Sequence, residues 1–276
     1  MHQDHPERGV LGYARLSDGG VVRLTWLGHA SVVFDLGGTR IVSDPLLRAT
    51  NGPLRRRGPA PQPEQWAGVE AVLVSHLHHD HVELASLRML PHLADLPVLA
   101  STRNAAWLRR RRLHAVSLAD EWYDVGTEGV QVRVVRADHH SRPMPHRPND
   151  ANGHLVRTPT TRIWVAGDTS LYPEMAELPE LAGGPIDLAV VPVGGWGPRL
   201  SGGHLDSDSA AEACALVGAS VAVPYHWGTL YAPGMQNRPP GWMDRPQAAF
   251  PAAVARHAPE CRAVVLAPGE SAELDG

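Results

Sequence analysis

Residues 76–81 read His-Leu-His-His-Asp-His, and they follow the apolar run Val69-Glu-Ala-Val-Leu-Val-Ser75. Four imidazoles and one carboxylate therefore fall within six positions. Imidazole and carboxylate groups are the ligands that bind zinc and neighbouring transition metals in proteins. A strand that ends in such a cluster predicts a metal site. The alternative, a solvated histidine-rich turn, is disfavoured because the rest of the chain supplies similar ligands in similar settings.

Further candidate ligands stand where other apolar runs end. They are His139 and His140 after Val134–Ala137, Asp168 after Trp164–Gly167, and His226 after Val221–Tyr225. Strand ends gathered at one edge of a sheet can direct side chains from remote positions toward one point, and a rigid sheet holds them more firmly than a loop does. The sequence thus predicts a single centre that takes ligands from both halves of the chain.

Composition excludes several classes of function. The chain has 276 residues, 43% of them hydrophobic, and a formal net charge of -4, which argues against a nucleic-acid partner. Cys214 and Cys261 lack metal-ligand spacing. The N-terminus carries no apolar signal-peptide core, and no run approaches the roughly 18 apolar residues of a transmembrane segment. We expect a cytoplasmic protein, and the oligomeric state stays open.

The order of predicted elements indicates an α/β protein. Residues 1–20 are predicted to form an N-terminal arm, and residues 21–276 a single domain. Residues 45–68 are predicted to be a long loop, either a binding element or a solvated connection. Strands are predicted over 21–27, 31–36, 39–43, 69–75, 97–101, 115–118, 130–137, 161–166, 186–193, 220–225 and 262–267, and helices over 82–90, 102–112, 207–217 and 243–258.

The whole set of motifs resembles the metallo-β-lactamase fold superfamily from about residue 21 onward. The resemblance implies a four-layer αβ/βα sandwich, in which two mixed β-sheets pack face to face and helices lie outside. It also implies two metal sites with a bridging carboxylate, formed by His76, His78 and His139, by Asp80, His81 and His226, and by Asp168 between them. His139 matches the family's Ala-x-His pattern better than His140 does, although strand alternation leaves either one open.

A narrower resemblance points to one branch of that superfamily. The elements Thr25–Ser31, Ser43–Pro45, His204–Asp206 and His226–Thr229 are similar to the branch that contains N-acyl-phosphatidylethanolamine phospholipase D and the ascorbate-phosphate lactonases. Members of that branch are phosphodiesterases and lactonases. His29 and His204 match polar positions of the branch, so each is expected either to contact substrate or protonate a leaving group, or to be a buried, satisfied histidine.

The resemblance and the ligand chemistry together predict a dinuclear hydrolase. Zinc is the first expectation for the two divalent ions, and manganese or iron is compatible with the ligands. A water that bridges two metals ionises readily, and the hydroxide attacks a carbonyl carbon or a phosphorus. Asp80 is expected to bind metal and orient the nucleophile, with His204 and His29 as further catalytic candidates, and Asp44 is expected to hold a ligand imidazole.

The substrate is predicted only as a class. We expect a small-molecule ester, lactone or phosphodiester, with an anionic or phosphorylated group as one possibility. Candidate contacts are the aromatic residues Trp196, Tyr225, Trp227 and Tyr231, which could also be core residues, and the arginines Arg55–Arg57, Arg142 and Arg147.

Four alternatives remain at this point. A di-iron oxidoreductase on the same fold would typically place Glu where this chain has His78. A nuclease would carry a basic surface, which is not evident here. A β-lactamase is disfavoured by the motifs of the narrower branch, and a metal-binding scaffold without activity by the complete ligand set.

Overall fold

The computed structural model describes residues 14–15, 22–139, 146–148 and 150–275. Its strands are β1 (Ala14–Arg15), β2 (Val22–Gly28), β3 (Ser31–Leu36), β4 (Thr39–Ser43), β5 (Thr50–Asn51), β6 (Leu54–Arg56), β7 (Ala71–Leu73), β8 (Val98–Ser101), β9 (Ala115–Leu118), β10 (Tyr123–Val125), β11 (Val130–Arg136), β12 (Asn152–Arg157), β13 (Arg162–Val165), β14 (Leu188–Pro192), β15 (Val221–Tyr225), β16 (Leu230–Tyr231), β17 (Arg262–Ala263) and β18 (Ser271–Asp275). Its α-helices are α1 (Pro63–Trp66), α2 (Leu84–Leu87), α3 (Thr102–Arg109), α4 (Leu178–Ala182), α5 (Ser207–Leu216) and α6 (Arg245–His257), and a 3-10 turn spans Pro173–Glu177.

The strands form two large mixed sheets and one small sheet. The first large sheet has the order β1-β18-β2-β3-β4-β7-β8-β9, and the second has the order β10-β11-β12-β13-β14-β15-β17. The small sheet has the order β16-β6-β5. In the first large sheet β4, β7, β8 and β9 run parallel, and in the second β13, β14, β15 and β17 do.

Side chains that alternate along each strand pack into different layers of the fold. In β3, Val32 and Phe34 join a core cluster with residues of the second sheet, whereas Val33 joins a cluster on the opposite face with Trp107 and Leu108 of α3. Side chains alternate between the two faces of a strand, so one strand serves both layers. Helices α5 and α6 pack on the far side of the second sheet. The predicted four-layer αβ/βα sandwich, with two mixed sheets face to face and helices outside, is confirmed.

The strands that precede the candidate ligands share one direction within each sheet. Strand β11 is antiparallel to β12, which is antiparallel to β13, so β11 and β13 point the same way. Strands β14 and β15 continue that direction. In the first sheet β4 and β7 are parallel to each other. The carboxyl ends of these strands therefore lie at common edges, which is where the sequence places its histidines and aspartates.

Most predicted elements appear with small shifts at their ends, but residues 45–68 differ from expectation. Instead of a long loop, this segment contains β5, β6 and α1. Short strands β10, β12, β16 and β18 were also not predicted. Apart from β1, the predicted arm over residues 1–20 lies outside the described residues. In the described part of the chain, no helix has both the length and the apolar character needed to cross a bilayer.

Arg56 holds the segment 45–68 in place. It is 6% exposed, and its guanidinium donates from Nη1 to Leu27 O at 2.8 Å, from Nη2 to Leu46 O at 2.6 Å and from Nε to Arg48 O at 3.2 Å. The planar fork of five donors in arginine suits three carbonyls at once. Gly28 makes room for this contact, because a Cβ there would lie 2.6 Å from Arg56 Nη1.

We expect Arg56→Lys to lower the free energy of unfolding by about 2–4 kcal/mol, because an ammonium cannot reach three buried carbonyls and each carbonyl left unpaired costs about 1–3 kcal/mol. Urea denaturation of the purified variant measures this difference. Arg55→Lys at the exposed neighbouring position is the matched control and should change stability by less than about 0.5 kcal/mol. Equal destabilisation by both substitutions would contradict the structural role of Arg56.

Candidate metal centre

The first predicted ligand set forms a compact cluster. His76 and His78 follow β7, and His139 follows β11. His78 Nδ1 lies 3.0 Å from His76 Nε2 and 3.2 Å from His139 Nε2. The three ligand atoms all lie within 4.8 Å of one another. Three imidazoles from two sheets therefore converge on one point.

The second predicted ligand set, formed by Asp80, His81 and His226, is also brought together in the structure. His226 Nε2 lies 3.0 Å from His81 Nε2 and 3.5 Å from Asp80 Oδ2. His29, which the sequence suggested only as a catalytic candidate, joins this group, with its Nε2 3.1 Å from Asp80 Oδ2. His226 is brought in by β15 of the second sheet and Asp80 and His81 by the loop after β7 of the first, so this set too spans both sheets.

Asp168 lies between the two sets. Its Oδ2 is 3.1 Å from His81 Nε2 and 3.9 Å from His76 Nε2, and its Oδ1 is 3.5 Å from His226 Nε2. Asp168 is 1% exposed, yet its Oδ1 has no hydrogen-bond partner among the described residues. A buried carboxylate oxygen without a partner is costly, and a cation at this position would satisfy it.

The second nitrogens of His139 and His226 are each held by a backbone carbonyl. His139 Nδ1 donates to Gly203 O at 2.7 Å, and His226 Nδ1 donates to Gly194 O at 3.0 Å. Because a carbonyl only accepts, these contacts place a proton on Nδ1 of each ring and leave Nε2 directed at the centre. Such outer contacts fix the tautomer of metal-binding histidines.

Asp44, at the end of β4, organises the remaining ligands. Its Oδ2 accepts from His81 Nδ1 at 2.9 Å and from Ser75 Oγ at 2.5 Å, and its Oδ1 accepts from Ser75 N at 2.9 Å. The hydroxyl of Ser75 lies 3.0 Å from His76 Nδ1 and can accept its proton. One buried carboxylate thus orients ligands of both sets, as the sequence suggested for Asp44.

Three residues of the centre adopt left-handed backbone conformations. The φ angles are 51° at His29, 38° at Asp44 and 65° at His226. Non-glycine residues rarely have positive φ, and such conformations concentrate at functional sites. The adjacent Gly167 has φ 66°, and a Cβ there would lie 2.6 Å from Asn152 O, so glycine is required directly before Asp168.

Both carboxylates of the centre are held in the ionised form. Burial raises the pKa of Asp80, but hydrogen bonds from His226 and His29 outweigh it and hold that pKa well below its ordinary value. Burial likewise raises the pKa of Asp168, and the charges of His226 and His81 outweigh it and hold it well below. Ionised carboxylates are the form that binds metal.

The imidazoles divide into two kinds. Burial lowers the pKa of His78 to about 4, takes that of His76 well below its ordinary value and lowers that of His139, which keeps all three neutral. Burial also lowers the pKa of His81, but Asp168 and Asp44 outweigh it and hold the pKa well above its ordinary value. The position facing His81 Nε2 therefore favours positive charge.

The donor set fits a pair of divalent cations. It offers neutral imidazoles for one ion, and imidazoles with a carboxylate for the other, and the two nitrogens His81 Nε2 and His226 Nε2 face each other at 3.0 Å. Two imidazole lone pairs at that distance repel each other. The pair therefore requires positive charge at this point, either a proton or a metal cation. This composition is typical of zinc and related metals.

His29 and His204 occupy different positions relative to the open side of the centre. His29 is fully buried and is not among the residues that line the cleft over the metal centre. Burial lowers its pKa to about 3, its carbonyl accepts from His226 N, and its ring lies 4.0 Å from the His226 ring. Its position supports orienting Asp80 and His226 rather than touching substrate.

His204 faces the cleft. Its Nε2 lies 3.2 Å from Asp168 Oδ2, and its side chain is 13% exposed. Burial lowers the pKa of His204, but the contact with Asp168 outweighs it and the pKa lies above its ordinary value. The protonated form of His204 is therefore favoured at the wall of the cleft.

A cleft of about 1370 Å³ opens over the two ligand sets. Of the four aromatic residues suggested from the sequence, Trp196 lines this cleft and is 47% exposed. Tyr225 is buried below the centre, and Trp227 stacks on Trp26 with ring centroids 5.3 Å apart. Tyr231 lines a separate depression of about 410 Å³. Three of the four thus lie outside the cleft.

The predicted anion-binding arginines are mostly engaged elsewhere. Arg56 binds carbonyls, Arg57 pairs with Asp244, and Arg147 donates to Leu77 O and Val82 O. Arg55 is exposed beside Tyr231. Arg142 and the alternative ligand His140 lie outside the described residues.

Sequence reasoning missed several groups at this centre. The carbonyls of Gly194 and Gly203 carried no signal, because a backbone acceptor is the same in every residue. No role was predicted for Ser75, although its position directly before His76 indicates that it can contact a ligand histidine. Arg199, Met235 and Arg238 also line the cleft and come from loops that no motif marks.

Comparisons with known proteins identify the family and the fold of this chain. The family described as the beta-lactamase superfamily domain matches residues 39–227. A metal-dependent hydrolase of Nitratidesulfovibrio vulgaris is 29% identical over 92% of this chain and 95% of its own length. N-acyl-phosphatidylethanolamine-hydrolyzing phospholipase D 1 of Caenorhabditis elegans is 27% identical over 74% of this chain and 63% of its own length. Igni18, a metallo hydrolase of Ignicoccus hospitalis, shares the fold with a TM-score of 0.67 and 19% identity, over 92% of this chain and 98% of that one.

We expect Asp44→Asn to weaken metal binding by about 10- to 100-fold, the usual effect of removing an outer partner of a ligand histidine. Asn tolerates the left-handed backbone at position 44, so the substitution removes charge without adding strain. Competition with a chromophoric chelator measures the affinity. Asp35→Asn, which only breaks a surface pair with Arg40, is the control. Unchanged affinity in Asp44→Asn would show that the Asp44 network does not support the metal ligands.

Proposed function

This chain belongs to the metallo-β-lactamase superfamily of metal-dependent hydrolases, and from that premise we propose that it binds two divalent metal ions and cleaves an ester, lactone or phosphodiester. Zinc is the first candidate for both ions, with manganese or iron as alternatives. The single observation that carries this proposal is the placement of Asp168 between two complete ligand sets, with one oxygen buried and unpartnered among the described residues.

The ions, when bound, would lower the pKa of water and stabilise negative charge on the reacting group. The residues of the chain supply the rest. Asp80, oriented by His29 at 3.1 Å, lines the cleft and can direct the attacking water. Asp168 holds the imidazole of His204 at 3.2 Å, with its Nε2 toward the centre. A protonated His204 can donate its proton to the oxygen of the leaving group, which is general acid catalysis.

The surroundings of the centre and one similar protein support the proposed bond type. Among the described residues no cysteine lines the cleft, and its one serine, Ser201, contacts Nδ1 of His204, the residue proposed here as an acid and not as a base. One similar protein is named as a phospholipase D, an enzyme that cleaves a phosphodiester. The cleft, at about 1370 Å³, is large enough to admit a small-molecule substrate.

We expect the zinc- or manganese-loaded protein to hydrolyse at least one member of a panel made of a 4-nitrophenyl ester, a lactone and bis(4-nitrophenyl) phosphate. Asp168→Asn should lower that rate by at least about 100-fold, because it removes the charge shared by the two ligand sets. Metal content of each preparation is measured alongside the rate.

Two results would count against the proposal. One is a metal-loaded protein that hydrolyses no member of the panel. The other is Asp168→Asn that matches the wild type in rate and metal content. Oxygen consumption by an iron-loaded sample, with no hydrolysis, would favour the di-iron oxidoreductase instead.

We expect His204→Gln to lower the turnover of substrates with alkoxide leaving groups by about 10²- to 10⁴-fold, the usual contribution of a general acid. Substrates that release 4-nitrophenolate should be much less affected, because that group leaves without a proton. The ratio of the two effects, measured at equal metal content, identifies the acid. If His204→Gln instead loses bound metal, His204 is a metal ligand and not the acid. Its position beside His139 and Asp168 also permits metal binding.

A further inference from the structure

Exposed apolar side chains concentrate around the metal cleft. The large hydrophobic side chains exposed among the described residues are Met89, Leu181, Trp196, Leu200, Leu216 and Met235. Trp196, Leu200 and Met235 all line the cleft. Apolar residues scattered singly over a surface need no explanation, but three that share one concave site mark a place for an apolar ligand.

Two loops carry these residues, and both line the cleft. Trp196 and Leu200 belong to the loop after β14, and Met235 belongs to the segment that follows β16. Pro198 and Pro239 add rigid apolar surface to the two walls. At about 1370 Å³, the cleft exceeds the roughly 300–1,000 Å³ of a usual small-molecule site. It therefore has room for more than the reacting group alone.

Two arginine side chains also line the cleft. Arg199 and Arg238 line the cleft and are exposed, and their guanidinium groups form no ion pair with a described residue. In contrast, Arg57 and Arg147 at other loops are engaged by a carboxylate or by carbonyls. Guanidinium groups free of a protein partner beside an apolar wall are suited to a phosphate or a carboxylate of a ligand.

The loop that bears Trp196 is anchored to the metal centre at both ends. Gly194 O accepts from His226 Nδ1 at 3.0 Å, and Gly203 O accepts from His139 Nδ1 at 2.7 Å. His204, directly after Gly203, contacts Asp168. The wall that would receive the apolar part of a ligand is thus fixed at a set distance from the reacting centre, which is what discrimination by length requires.

We propose that the cleft selects an amphiphilic anion: a small ester or phosphodiester whose apolar arm packs against Trp196, Leu200 and Met235, and whose anionic group is attracted by Arg199 and Arg238. This inference rests on the proposed function for the identity of the scissile bond. The recognition of the apolar arm and of the charge can be measured without turnover.

The test is isothermal titration calorimetry of the metal-loaded protein with ethyl, butyl and hexyl phosphate, used as monomers below their aggregation concentrations. Any contribution from the metals is common to the series and cancels in the ratio of affinities. Affinity should increase about twofold for each added methylene. Complete burial of a methylene would increase it about fourfold, but the open cleft buries each methylene only in part. Ethyl and hexyl phosphate should therefore differ by about 16-fold.

Substitutions separate the two parts of the site. Trp196→Ala should reduce the ratio of hexyl to ethyl affinity to about fourfold or less, while the control Leu216→Ala, another exposed apolar residue, keeps it at the wild-type value. Arg238→Gln should weaken all three phosphates by about five- to tenfold and leave the ratio unchanged. Arg110→Gln, an exposed arginine outside the cleft, should have no effect.

The outcomes distinguish this inference from the proposed function. An affinity ratio near one in the wild type, or a ratio that Trp196→Ala leaves intact, overturns the inference even if the protein hydrolyses the earlier panel. Binding that starts only when the alkyl phosphate aggregates also overturns it, since the protein would then recognise a lipid surface. A chain-length ratio that depends on Trp196, without hydrolysis of any panel member, supports the inference and refutes the proposed function.

Discussion

The centre depends on holding like groups against one another in the protein interior. His81 Nε2 and His226 Nε2 are 3.0 Å apart, and the carboxylates of Asp80 and Asp168 lie within 3.5 Å of the same His226 nitrogen. Without positive charge between them, these donors would repel, and each carries the cost of burial. The contacts from Asp44, Gly194 and Gly203 occupy the other nitrogens of His81, His226 and His139, and so keep the inward nitrogens directed at the centre.

Backbone geometry explains how the ligands reach this arrangement. The strands end at the edge of the sheet where the centre lies. If a strand continued in the same direction, its next residue would lie beyond the centre. The left-handed φ angles at His29, Asp44 and His226 turn the chain sharply where three strands end. The bond from His226 N to His29 O at 2.9 Å ties one such turn in the first sheet to another in the second. Conformations of this kind cost about 1–3 kcal/mol each, and the packed sheets that flank them keep them populated.

The sequence allowed much of this centre to be predicted, because metal ligands need particular side chains. The run at 76–81 and the positions His139, Asp168 and His226 were expected together, and the structure brings them together. The position of His29 was less predictable, since a histidine before a strand looks the same whether it meets substrate or supports Asp80. The two-sheet sandwich was also expected, but the short strands in residues 45–68 were not, because Leu54 to Arg56 has no alternating pattern and is ordered by the contacts of Arg56.

Specificity has a different physical origin from the metal centre, and it leaves a weaker record in the sequence. A metal ligand is restricted to a few residue types, whereas a cleft wall accepts any side chain of suitable size and polarity. Trp196 and Met235 therefore carry no motif, and their relation becomes visible only because two loops remote in the chain line the same cleft. Because Gly194 and Gly203 bind the ligand histidines through backbone carbonyls, the side chains between these two residues can vary without loss of the hydrogen bonds. Under the proposed function, substitutions between Gly194 and Gly203 would change the preferred substrate and leave the contacts with His226 and His139 in place.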